Sequence, residues 1–185
     1  MQRGKNTIIA AAETLKMKGQ NGQISFENSI LTDTAYYINF DANGVGGIFN
    51  LVDSKTKRIV GITNIDGQMF LAGKDVIIDS LCLKAGFGPT IDTADYSENF
   101  GIDPRLKNAE IRFRHGKNIL SNLPITQIIA NENCIEKFAR NLTAPILLQS
   151  NKEFEIQIEL PKNQNISNLP NIFFRLEMTA TDARK

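Results

Sequence analysis

The stretch from Leu142 to Thr181 decides the fold class of this chain. It holds a proline-led apolar run, a polar turn, a clean alternation and a last apolar run: Leu142-Thr143-Ala144-Pro145-Ile146-Leu147-Leu148, Gln149-Ser150-Asn151-Lys152, Phe154-Glu155-Ile156-Gln157-Ile158-Glu159-Leu160 and Phe173-Phe174-Arg175-Leu176-Glu177-Met178. Alternation of apolar and polar residues is typical of a strand with one dry face and one wet face. We therefore expect a core face of Phe154, Ile156, Ile158 and Leu160, with Gln157 facing solvent.

Shorter strand candidates precede this region, and residues that favour turns separate them. The candidates are Ile24–Phe26, Ala35–Phe40, Gly47–Val52, Arg58–Thr63, Met69–Leu71, Val76–Leu83 and Glu110–His115. Closely spaced strands divided by Asp, Asn, Gly and Ser indicate an antiparallel meander or sandwich. The predicted fold is all-β, an antiparallel sandwich with a long loop over 85–108 and a short helix within 128–140.

The N-terminal residues are predicted to form an arm, 1–18, ahead of a sandwich domain, 19–185. The apolar stripe of the arm consists of Ile8, Ala12 and Leu15. This stripe suits a short amphipathic helix, and the same residues suit an extended strand equally well. The glycines of 19–22 end either element.

Composition argues against several classes of function. The chain has 185 residues and a formal net charge of +1, so the sequence does not favour nucleic acid as a partner. No stretch approaches the ~20 apolar residues of a membrane-spanning helix, and the apolar run that ends before Glu13 is too short for a secretory signal. The most basic cluster is 112–117. There we expect Phe113 to point inward, and the arginines to pair with glutamates of Glu153–Leu160 across strands or between subunits.

Residues that could carry catalysis are few. His115 is the single histidine, which excludes a multi-histidine metal site, and we interpret it as a surface turn residue. Cys82 lies in an apolar run and is expected to be a buried free thiol, with a disulfide to Cys134 as the alternative. We predict no catalytic residue, no cofactor, no metal site and no small-molecule substrate, and therefore not an enzyme.

Two segments imitate ligand-binding loops. Gly44-Val45-Gly46-Gly47 lacks the Lys-Ser/Thr ending of a phosphate-binding loop, and we interpret it as a hairpin turn. Asp41-Ala42-Asn43-Gly44 lacks the spacing of a calcium loop. The acidic part of the long loop contains Asp92, Asp95, Glu98 and Asp103, for which weak cation binding is an alternative to a purely structural role.

The C-terminal region resembles the paired strands of viral and phage jelly-roll capsid proteins. The resemblance rests on the proline-led run 145–148, the polar turn through Asn151 and the phenylalanine-led alternation 154–158. It implies a single jelly-roll subunit, and the arm suits such a subunit because arms reach neighbouring copies. No functional residue carries over from the family.

The expected function is that of a structural virion protein, a capsid or capsid-associated subunit that acts by self-assembly. Its partners would be copies of itself and other virion proteins, and its location the virion, with the cytoplasm as the alternative. The competing hypothesis is a receptor- or carbohydrate-binding β-sandwich of the fibre or adhesin type. The absence of Trp counts against it, because sugar-binding platforms favour exposed aromatic rings.

Overall fold

The computed structural model describes residues 30–96, 102–129, 140–167 and 169–184. This part of the chain contains the following strands: β1 (Ile30–Phe40), β2 (Ile48–Val52), β3 (Lys74–Phe87), β4 (Glu110–His115), β5 (Asn118–Pro124), β6 (Arg140–Leu148), β7 (Phe154–Glu159) and β8 (Ile172–Arg184). Helical structure within it consists of α1 (Pro104–Lys107) and a 3₁₀ turn (Ile125–Gln127). The predicted strand Ile24–Phe26 and the arm, 1–18, lie outside the described residues.

The strands form two antiparallel four-stranded sheets packed against each other, which confirms the predicted β-sandwich. Sheet I has the order β1-β8-β3-β6, and sheet II has the order β2-β7-β4-β5. The first strand pairs with the last, the second with the seventh, the third with the sixth and the fourth with the fifth. This is the eight-stranded jelly-roll arrangement.

Successive strands mostly lie in opposite sheets, so the chain is not a meander. The exception is the β4–β5 hairpin, whose turn Gly116-Lys117 has a φ of +53° at the glycine. Positive φ is what a two-residue hairpin turn requires, and glycine supplies it without steric cost. β5 had no predicted counterpart, because its sequence lacks both alternation and a long apolar run.

Most of the other predicted strands are present, and several are longer than expected. Ala35–Phe40 lies in β1, Val76–Leu83 lies in β3, and Glu110–His115 is β4. Two predicted strands are wrong: Arg58–Thr63 and Met69–Leu71 belong to the long connection between β2 and β3. The first makes only isolated bridges, because it folds back on itself through Ile59 and Thr63.

The predicted loop and helix are only partly supported. The loop over 85–108 contains the end of β3 and α1, and residues 97–101 lie outside the described residues. The helix expected within 128–140 falls largely on residues that are not described, and Ile128 only closes the preceding 3₁₀ turn.

The core fills the space between the two sheets. Phe154, Ile156, Ile158 and Leu160 all face it and are buried, as the alternation predicts. Gln157 lies on the opposite face but is also buried, contrary to expectation. It is covered because its amide nitrogen donates to Asn50 at 2.9 Å and to Glu155 at 3.0 Å. Long polar neighbours thus shield a residue that alternation alone places in solvent.

Candidate functional surfaces

His115 holds a turn together. Its Nδ1 lies 3.0 Å from the carbonyl oxygen of Glu153, and its Nε2 lies 3.2 Å from the amide nitrogen of Gln149. Because the amide donates and the carbonyl accepts, the neutral ring carries its proton on Nδ1. Both ring nitrogens are engaged by the β6–β7 turn, which agrees with the interpretation of His115 as a turn residue.

Cys82 is a free and buried thiol. It lies on the outer side of sheet I, where burial raises the pKa of the thiol and the nearby Lys84 ammonium lowers it less. A raised pKa reduces the thiolate population that nucleophilic chemistry needs. Cys134 lies outside the described residues.

The glycine-rich segment 44–47 is a corner between the sheets. It joins β1 in sheet I to β2 in sheet II, so the predicted hairpin turn is wrong. Gly44 and Gly47 have φ values of +77° and +69°. A Cβ at Gly46 would lie 1.8 Å from Oδ1 of Asn165, so this glycine allows two loops to meet.

The acidic loop is tied into the fold at Asp103. Its carboxylate accepts the backbone N–H of Arg105 at 2.8 Å and pairs with the Arg105 guanidinium at 2.8 Å. Hydrogen bonding from that guanidinium lowers the pKa of the Asp103 carboxyl. Arg105 also donates to the carbonyl oxygens of Asn165, at 3.0 Å, and Ser167, at 3.1 Å. The pair therefore fastens the β3–β4 connection to the β7–β8 connection.

Across the ranges that the structure describes, no group of three or more His, Cys, Asp or Glu side chains could hold a metal ion. Glu98 of the acidic loop is not among those residues. No helix in the described ranges is both long enough and apolar enough to cross a membrane.

The outer face of sheet II carries a ladder of opposite charges. Arg112 pairs with Glu159 and, at 3.3 Å, with Glu110, while Arg114 lies 4.0 Å from Glu155. The expected cross-strand pairing of the basic cluster is thus confirmed for β4 and β7, with Phe113 buried on the other face. Partly exposed pairs of this kind each contribute about 0–1 kcal/mol.

A buried polar cluster closes one end of the sandwich, and no sequence pattern predicted it. Asp182 accepts a hydrogen bond from the Tyr36 hydroxyl at 2.8 Å and pairs with Lys74 at 2.9 Å. The Lys74 ammonium lies 5.3 Å from the centre of the Tyr36 ring and 5.2 Å from that of Phe70. Burial, then the hydrogen bond to Asp182, raises the pKa of the Tyr36 hydroxyl far above its usual range.

A second polar cluster lies on the outer side of sheet I. The Arg175 guanidinium lies 4.2 Å from the ring centre of Tyr37 and 5.6 Å from that of Tyr96. Glu177 bridges Arg175 and Lys84, at 2.8 Å to each. Burial raises the pKa of Tyr96 to about 12. These contacts anchor the loop after β3 to the sheet.

The edge of β1 differs between its two halves. Along the C-terminal half, the Asn64 side chain accepts from the N–H of Tyr37 at 2.9 Å and donates to the carbonyl of Ala35 at 2.7 Å. The N–H of Asn39 donates to Ile62 at 2.7 Å. Along the N-terminal half, Ile30–Thr34, no described residue pairs with the outer edge.

No protein family, characterised protein or solved structure matches this chain.

Proposed function

We propose that this protein is a structural virion subunit, a capsid or capsid-associated protein that works by self-assembly in the virion. The observation that carries the proposal is the jelly-roll pairing of first strand with last through both sheets. Viral capsid domains use this arrangement, although lectins and cupins use it too. One fold serves many functions, and the function of a protein depends on particular features of its surface.

The surface supports an assembling role over a chemical one. Both ring nitrogens of His115 are hydrogen-bonded to the β6–β7 turn, and Cys82 is buried. The charged side chains of β4 and β7 neutralise each other within sheet II. In contrast, the β1 edge keeps backbone groups at Ile30–Thr34 that no described residue satisfies, and such edges recruit other strands.

The test is the solution mass of the purified chain, by light scattering after gel filtration, together with negative-stain electron microscopy. We expect a concentration-dependent oligomer and regular particles. A protein that stays monomeric at high concentration and forms no particles contradicts the proposal.

The arm provides a sharper version of this test. Deletion of residues 1–18, which lie outside the described residues, should leave the sandwich folded and weaken particle formation. Unfolding of the truncated protein would instead place the arm within the core of its own domain.

The alternative is a carbohydrate- or receptor-binding module, and one exposed aromatic residue favours it. Phe87 is half-exposed at the end of β3, where its backbone pairs with Asp95. Sugar-binding platforms favour exposed aromatic faces. Retention of the chain on a glycan array that is lost in Phe87→Ala would support this function over assembly.

A further inference from the structure

The two halves of the β1 edge differ in whether their outward backbone groups have hydrogen-bond partners among the described residues. The C-terminal half is closed by the Asn64 amide, which imitates a backbone partner, and by Ile62 and Thr63. Natural proteins close edges in this way to prevent pairing with other chains. The N-terminal half has no backbone partner on this side among the described residues, and Asp33 is its one charged side chain. The half begins with apolar side chains: Ile30 is 72% exposed and Leu31 38% exposed.

We infer that Ile30–Thr34 pairs antiparallel with the same segment of a second copy of this chain, about a two-fold axis at Thr32. This inference rests on the proposed function, and it deepens that function by assigning a contact surface. The joined edges would make one continuous sheet from two copies of sheet I.

The direction of the backbone groups supports this register. Residues with odd numbers point their N–H and C=O away from β8, because Ala35, Tyr37 and Asn39 bond outward. By alternation, Leu31 and Asp33 also point outward. When Leu31 lies opposite Asp33 of the second copy, each residue donates its N–H to the C=O of the other. The two-fold axis gives the same pair between Asp33 and Leu31 of the second copy. About four backbone hydrogen bonds result, with none directed at an empty position.

The side chains are compatible with the same register. Thr32 lies opposite its own copy, which is a favourable cross-strand pair, and Ile30 lies opposite Thr34. Asp33 faces Leu31 rather than the other Asp33, so no like charges are directly opposite. A two-fold interface requires such self-complementarity, because every contact between two residues is repeated with the two copies exchanged.

The neighbourhood adds apolar surface at the same end of the sandwich. In the strand register of sheet I, Arg184 of β8 lies between Ile30 of β1 and Lys74 of β3. The N–H of Lys74 donates to the carbonyl of Leu71 at 3.1 Å. Leu71 is 82% exposed. Contact with a second copy would remove part of this surface from water.

The test compares the dimerisation of matched variants by analytical ultracentrifugation. Leu31→Lys places a charge at the inferred contact and should weaken dimerisation at least about tenfold. Ile119→Lys makes the same change at an exposed position in β5 of sheet II and should leave dimerisation unchanged. Asp33→Pro, which removes an outward N–H without touching the β8 ladder, should match Leu31→Lys.

Other outcomes overturn the inference in distinguishable ways. If the wild-type chain assembles and Leu31→Lys assembles equally well, the edge is not the contact, while the proposed function stands. If dimers depend on Leu31 but particles never form, the contact stands and the virion role fails. If deletion of residues 1–29 creates dimers that the intact chain lacks, those upstream residues occupy the edge and the inference is wrong.

Discussion

Sheet I and sheet II bury their residues differently. In β7 of sheet II, Phe154, Ile156 and Ile158 face the core while Glu155 and Glu159 remain half-exposed on the outside. In sheet I, a row across the outer side joins Thr181 of β8, Ile77 of β3 and Leu147 of β6.

All three residues of that row are buried, although none belongs to the cluster between the sheets. The outer side of sheet I is therefore dry along this row, although Arg175, Glu177 and the exposed Thr179 lie farther along the same side of β8. The outer side of sheet II has charged side chains on both β4 and β7. The difference teaches that alternation identifies one-sided strands only. A strand that is buried on both faces shows a continuous apolar run, such as the one around Val76–Leu83.

Replacement of single isoleucines tests this comparison most strongly. Ile156→Ala should reduce the free energy of unfolding by about 2–5 kcal/mol, because the side chain is fully buried in the core. Ile77→Ala should have a similar effect of about 2–5 kcal/mol, although it lies on the outer side of sheet I. Urea denaturation followed by fluorescence or circular dichroism measures both.

Ile48→Ala is the matched control for this pair. Ile48 lies on the outer side of sheet II and is 55% exposed, so its truncation should change stability by at most about 0.5 kcal/mol. If Ile77→Ala behaves like Ile48→Ala, the two outer sides are alike and the comparison is wrong.

Changes in the buried polar cluster of Tyr36, Lys74 and Asp182 should have the next largest effect on stability. Asp182→Ala should cost about 2–4 kcal/mol, because it leaves the Lys74 ammonium and the Tyr36 hydroxyl without their buried partner. The lower end applies if Lys74, which is a quarter exposed, turns to water. Tyr36→Phe removes only one hydrogen bond and should cost about 1 kcal/mol. Equal costs for the two variants would show that Lys74 does not depend on Asp182.

Features that depend on local sequence patterns could be predicted from the sequence. The alternation of 154–160 predicted which face is buried, and the signs of the charges in β4 and β7 predicted their pairing. Both follow from neighbours along one strand or from two strands in register. The jelly-roll class followed from a resemblance, and the strand order in the structure agrees with it.

Long-range geometry accounts for what could not be predicted. Asp182 lies in a polar-looking C-terminal run, and only the fold brings it to Tyr36 from 146 positions away. Asn64 lies in a sequence typical of turns, and nothing in that sequence indicates that its side chain bonds to the backbone of β1. Arg58–Thr63 has strand-like composition, but its turn through Gly61, with a φ of +88°, prevents extension.

Gln157 tests whether the outer side of sheet II is truly solvated. The simple alternation predicts that Gln157→Ala changes stability by less than about 0.5 kcal/mol. The hydrogen bonds of its buried amide to Asn50 and Glu155 lead us to expect a cost of about 1–2 kcal/mol instead. Thr179→Val is the control: it removes a polar group from an exposed outer position of sheet I and should be within about 0.5 kcal/mol.

The smallest effect concerns a carboxyl beside the dry row on the outer side of sheet I. Asp79 occupies the irregularity in β3 between Ile78 and Ser80. Burial raises its pKa, Asp33 raises it further, and the hydrogen bond from Ser80 opposes them. A pKa that is higher in the folded state means that the folded protein holds this proton more tightly. The resulting stabilisation is complete below the unfolded pKa of about 3.9 and disappears as the pH rises through the folded value.

Asp79→Asn imitates the protonated carboxyl and keeps an oxygen for Ser80. The variant and the wild type should therefore have similar stability at a pH below about 4, and the variant should be the more stable at neutral pH. Urea denaturation at both pH values measures the difference. Asp33→Asn removes the charge that Asp79 senses from β1, so it should reduce the advantage of Asp79→Asn at neutral pH without abolishing it, because burial is the larger cause. A neutral-pH advantage that is absent, or that Asp33→Asn removes completely, would mean that the outer side of sheet I is wetter at Asp79 than at Ile77.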